Sequence, residues 1–170
     1  MNFLYNTLLA INATSWVVVL YGIKEEWTIT PLPVWLFGVF LLLGPILFSW
    51  ISILLTRFLG KDSLDECADL EEANHSFLPT YLGYFFVGLE IEKFQHLVFV
   101  YLIILIFTCV AQTQYFNPIF LLFGYRFYHG KTKKGTKVFI IVKKKLRSAD
   151  EVIFSNLRRI NDTTYIVRRE

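Results

Sequence analysis

Charge is what this sequence most lacks. No Asp, Glu, Lys or Arg occurs from Met1 to Ile23, from Trp27 to Thr56, or in the 32 residues from Phe94 to Tyr125. That excludes an ordinary soluble domain, which cannot bury so much uncharged chain in 170 residues. Cysteine is scarce as well. Cys67 lies in an acidic loop and Cys109 in an apolar run, so no disulfide framework is indicated. The first apolar stretch has neither a basic leader nor a small-x-small cleavage site, and it reads as a retained span rather than a signal peptide.

The usual catalytic signatures are missing too. There is no Gly-rich phosphate loop, nucleophile elbow, HExxH or CxxC. His75, His96 and His129 lack ligand spacing. The reading is therefore non-enzymatic, with no catalytic residues, no cofactor and no metal.

What is present is apolar. Hydrophobic residues make up 55% of the chain, aromatics 18%, and mean hydropathy is +0.48. A helix needs roughly 20 apolar residues to cross about 30 Å of hydrocarbon. Four stretches are read as spans, at about 3–23, 34–56, 75–91 and 95–114. The third is the weakest, because it contains Pro79, Gly83 and Gly88. The predicted fold class is a membrane all-α protein. Residues 1–116 form four transmembrane helices, and residues 117–170 form an interfacial segment and a small basic α+β cytoplasmic module.

The charges that do occur are unevenly placed. Arg126 to Glu170 carries 13 Lys+Arg against 4 Asp+Glu, whereas residues 1–125 carry 4 against 10. Basic flanks stay on the cytoplasmic side. Four spans put Arg57, Lys61 and the 13 tail residues on one side, with Lys24 and Lys93 opposite. The expected topology is N-in, C-in, in a bacterial inner membrane. With three spans only, the N-terminus would move outside.

Within the tail, Asn117-Pro118 ends helical continuation. The aromatics from Phe116 to Tyr128 suit a membrane boundary. Alternation around Phe123, Tyr125 and Phe127 reads as a strand, "HGKTKKGT" as a turn, and Lys137 to Lys143 as a buried strand. Ser148 and Glu151 make a capping box. Ala149, Val152, Ile153, Leu157 and Ile160 then follow helical spacing. "ND" at Asn161-Asp162 is a turn, and "TTYIVR" a last strand. The sketch is ββαβ, small enough to need outside support.

Several polar features compete for roles. Asn6, Asn12 and Thr14 give the first span a polar side, and they are helix-packing candidates for a homo-oligomer. The acidic loop Gly60 to His75 reads as a solvated acidic helix or a contact for the basic tail, since no calcium-loop pattern is present. Sequons at Asn12, Asn74 and Asn161 are chance matches. Gly44-Pro45 reads as a static kink. Lys143, Lys144, Lys145, Arg147, Arg158 and Arg159 are partner-docking candidates, with anionic lipid as a secondary partner. No direct nucleic-acid contact is expected, because no nucleic-acid motif is present.

The segments "NPIFLLFGYRFY", "VFIIVKKKLR" and "LRRINDTTYIVR", with the layout of spans before a short basic module, resemble KwaA. That family is the membrane subunit of the bacterial Kiwa anti-phage defence system. The resemblance implies an inner-membrane sensor of phage infection that works with a separate cytosolic subunit, KwaB, which acts on phage DNA. The function expected is a non-enzymatic sensor and scaffold that docks this effector. The alternative is a pore-forming effector that disturbs the membrane when activated.

Overall fold

The computed structural model describes residues 2–29, 32–64, 66–111, 117–152 and 156–167. Among these residues, three helices are long and apolar enough to cross a membrane. They are α1 (Asn2–Lys24), α2 (Val34–Leu55) and α4 (Phe94–Ala111). Each follows from a long uncharged apolar run, whose backbone groups must bond within the segment where no water reaches them. Hydroxyls inside these runs bond back to their own helix, Thr14 to Ala10 O at 2.8 Å and Ser52 to Phe48 O at 2.8 Å. That satisfies them without water. α2 continues through Gly44 and Pro45. The end of the fourth expected span, 112–114, lies outside the described residues.

The helix expected over 75–91 is shorter than a span. α3 runs Leu78–Glu90, 13 residues with Pro79 in its first turn. At 1.5 Å per residue it rises about 20 Å, less than the roughly 30 Å of hydrocarbon. Proline is tolerated where the first helical N–H groups are unpaired. The residues before it are spent in turns, Ser76 N to Ala73 O at 3.1 Å and Leu78 N to His75 O at 3.2 Å.

α1 is the central helix and packs on α2, α3 and α4. It runs parallel to α3. Trp16 meets Phe85 edge to face, and Lys24 Nζ donates to Ile91 O at 2.7 Å beyond the end of α3. A Cβ on Gly88 would stand 2.9 Å from Val17 O, so only glycine lets these two helices approach so closely.

A six-stranded sheet caps one end of the bundle. Its strands are β1 (Lys61–Asp62), β2 (Cys67–Glu72), β3 (Arg126–Thr132), β4 (Lys137–Val142), β5 (Leu157–Arg159) and β6 (Thr164–Val167). Their order is β1-β5-β6-β4-β3-β2, and all neighbours are antiparallel except β4 and β6. The chain is therefore α+β rather than predominantly all-α, because the link between α2 and α3 supplies two strands. The acidic loop is not a helix. β2 pairs along β3, and carboxylates of the loop meet tail cations, Glu72 with Arg126 at 3.2 Å and, just before β2, Glu66 with Lys133. The tail-contact reading of this loop is the one realised.

The helix expected from Ala149 to Ile160 is replaced. Among its described residues a 3-10 turn, Ala149–Glu151, forms at its start. Ser148 makes no side-chain cap, and Glu151 Oε1 accepts from Arg147 N at 3.3 Å. Leu157–Arg159 is β5, fixed between β1 and β6. Open edges on both neighbours outweighed the helical spacing, since pairing there satisfies backbone groups a short helix would leave unpaired. Ile153 lies outside the described residues. The strand expected around Phe123 begins only at Arg126, because Phe123 ends the helical turn Ile119–Leu122 and Gly124 turns the chain. His129 to Thr132, expected in the turn, extend β3. Phe120, Tyr125, Phe127 and Tyr128 are buried in the core rather than set at a membrane boundary. Three other tail expectations match the structure. The 137–143 strand is β4, the Asn161 turn is closed by Thr163 N and Thr164 N on Asn161 Oδ1, and β6 follows.

The sheet is covered on both faces. The face towards the helices packs Phe127, Phe139, Ile141 and Ile166 with Phe120, Leu59 and Tyr5. The outer face packs Tyr128, Ile140, Val142, Leu157 and Tyr165 under Leu146 and Val152. The 143–152 loop thus lies on the side away from the helices.

Candidate functional site

Two features join the helices to the sheet. The first is a buried polar cluster. Asn12 (α1), Ser49 (α2) and Asn117 are all fully buried. Asn117 Nδ2 lies 3.0 Å from Ser49 Oγ and faces one amide atom of Asn12 at 3.0 Å. A donor there requires that atom to be Asn12 Oδ1, an assignment made from the network. Oδ1 then also accepts from Ser49 Oγ at 2.7 Å, and Nδ2 donates to Pro45 O at 3.2 Å. Asn117 Oδ1 accepts from Ile119 N at 3.0 Å. This begins the single turn α5 (Ile119–Leu122), which packs on α2. Every amide atom of the pair is satisfied, as burial requires.

The second feature is an apolar joint. Phe120 of α5 is fully buried between α1, the end of α2 and the sheet. Gly124, at φ +78, turns the chain from α5 into β3, a conformation glycine adopts without a Cβ clash. Asn74 Oδ1 accepts from Phe127 N at 2.9 Å and holds the start of β3 to the approach to α3. All three sequon asparagines are therefore spent on internal contacts.

The three helix-packing candidates divide. Asn12 belongs to the cluster. Thr14 is buried, donates to Ala10 O and approaches Tyr101 Oη at 3.5 Å. Both serve packing inside one protomer. Asn6 Oδ1 is buried with no partner.

The six docking candidates also divide. Lys144 is paired with Glu151 at 2.8 Å, and this holds the Glu151 carboxyl below its usual range. Lys144, Lys145 and Arg147 sit exposed on the outer loop. Lys143 Nζ lies 5.0 Å over the Tyr125 ring. Arg159 is tied to Asp162 at 2.5 Å, which raises its pKa, and to Asp62 at 3.9 Å. Arg158 turns towards the helices and donates to Leu59 O at 2.8 Å. The candidates do not form one patch.

Sequence reading missed Ser49 and Asn117. A signal was present. Ser49, Ser52 and Thr56 recur at helical spacing along one face of α2 and the 3-10 turn that follows it, and all are buried. Tyr5 Oη uses the same face, donating to Ser52 O at 3.0 Å.

Among the described residues, no group of three or more His, Cys, Asp or Glu could hold a metal. The architecture is that of a membrane-type protein: three long apolar helices, with a mixed sheet clamped to one end of the bundle. Within that class the chain belongs to the KwaA family, whose model, described as anti-phage protein KwaA, matches residues 5–166. Curated proteins and solved structures yield no match.

Proposed function

We propose that the chain is a non-enzymatic inner-membrane sensor and scaffold of anti-phage defence. In this reading the outer face of the sheet docks a cytosolic effector of the KwaB type. Family membership supports the defence role. The observation that carries the scaffold reading is the shared sheet, which takes strands from both the α2–α3 link and the tail. A movement of the helices would then reach the sheet through Phe120 and the Asn12–Ser49–Asn117 cluster. Lys144, Lys145 and Arg147 are the docking residues of this reading, which is supported by their exposure on the loop that covers the face away from the helices.

Membrane topology is the first test. Asn74 bonds the sheet while Ile91 meets Lys24 at the opposite end of α1, so the chain travels the bundle between them although α3 is short. This supports an even number of crossings, with the N-terminus, the 61–72 link and the tail in the cytoplasm. Single cysteines at Glu25 and Glu92 are expected to react with an impermeant thiol reagent added outside intact cells, and one at Lys134 only after lysis. Outside labelling at Lys134 sinks the topology.

Docking is the second. The combined variant Lys144→Glu, Lys145→Glu, Arg147→Glu should lower effector co-purification at least about tenfold, as truncated or reversed interface charges do. Membrane insertion should be unchanged. Undiminished co-purification refutes this docking face. Self-association completes the proposal, and Asn6 is the one helix-packing candidate not spent on a hydrogen bond inside the chain.

A further inference from the structure

At the sheet end of the bundle, α1 and the last turn of α2 leave a groove of about 350 Å³. Leu4, Tyr5, Leu8, Leu55, Phe58 and Leu59 line it. The Tyr5 hydroxyl is already used on Ser52 O, so the groove offers almost only carbon. Its rim is cationic. Arg57 lays its guanidinium over the Phe58 ring, with Cζ 4.5 Å from the centroid. Arg158 reaches Leu59 O, and its Nε is buried with no partner. Lys61 stands directly opposite Arg158 in the β1–β5 pair, which puts both side chains on one face of the sheet. It is the face whose Ile166, opposite Arg158, packs with Leu59 and Tyr5.

Lys24, Arg126, Lys133, Lys144 and Arg159 each have a carboxylate partner. Among the described residues Arg57, Lys61 and Arg158 have no carboxylate partner, as is also true of Lys93, Lys131, Lys137, Lys145 and Arg147. But these three stand at the groove end of the bundle. An apolar slot beside unneutralised cations, where an apolar bundle meets a polar sheet, has the chemical outline of a phospholipid. Guanidinium groups suit phosphate oxygens because their N–H donors match them in pairs.

We propose that this groove binds an anionic membrane phospholipid. One acyl chain lies along Leu4, Leu8 and Phe58, and the headgroup phosphate lies between Arg57 and Lys61, with the Arg158 guanidinium adding positive charge behind them. The proposal rests on α1 and α2 being spans. The bound lipid would touch both helices and β5, holding the sheet to the bundle.

The test uses the full chain purified in mild detergent and examined by native mass spectrometry. Phosphatidylglycerol or phosphatidylcholine with identical acyl chains is added. Phosphatidylglycerol should be retained at least tenfold more strongly. The double variant Arg57→Gln, Lys61→Gln should lose that preference. Leu4→Trp keeps every cation, fills the groove from an exposed position, and should lower phosphatidylglycerol retention at least tenfold. Equal retention of the two lipids overturns the site, as does retention unchanged in either variant. Loss with the charge variant but not with Leu4→Trp means surface adsorption and also overturns it. Carbonate washing of membranes separates the underlying reading. A chain stripped off by carbonate overturns the spans and the site with them, whereas an inserted chain without lipid preference overturns the site alone.

Discussion

Phe120→Ala is expected to uncouple the sheet from the helices. Phe120 is fully buried, on a four-residue helical turn, in one core cluster with residues of α1, the α2 end and three strands. Truncating a buried phenylalanine costs about 3–5 kcal/mol when the site cannot collapse. Collapse is hindered here, because Asn117 and Gly124 fix the turn at either end. The inner face of the sheet is covered through this joint, whereas the outer face has its own core, so this loss should open the joint before the helices separate. Limited proteolysis in detergent should cut between residues 122 and 134 at a rate at least tenfold above wild type, while the helices stay membrane-inserted. Phe120→Leu, which keeps most of the volume, should be cut far more slowly than Phe120→Ala. Equal protection of Phe120→Ala and wild type refutes the joint.

Asn12→Leu should cost nearly as much, by a different mechanism. It removes the acceptor that faces Ser49 Oγ and Asn117 Nδ2, and the donor to Pro45 O. Each buried group left without a partner costs about 1–3 kcal/mol, whereas replacing all partners by apolar groups can be nearly neutral. The triple variant Asn12→Leu, Ser49→Ala, Asn117→Leu should therefore recover a large part of the melting temperature lost by Asn12→Leu alone. Such non-additivity is expected of residues in one network. Additive losses from the three single variants would show that the cluster is not a cooperative unit. If the cluster also carries signal from helices to sheet, the triple variant should fold and insert yet fail to protect cells against phage.

The long apolar helices were legible in the sequence because their determinant is local. An uncharged apolar run must satisfy its own backbone bonds, whatever surrounds it. α1, α2 and α4 accordingly stand where the sequence places them. β4, β6 and the Asn161 turn were legible for a similar reason, since short β-branched runs and Asx turns act within a few residues. Tertiary structure decided the rest. Leu157–Arg159 has helical spacing around it but lies between two strand edges, one of them contributed from nearly 100 positions earlier in the chain. The acidic residues of β2 became a strand because β3 offered a paired edge and cations, a fact no local window contains. Asn12 was legible as a polar residue in need of a partner. That its partners are Ser49 and Asn117 in the same chain follows only from three segments meeting in space, where an unpaired amide would be too costly to bury.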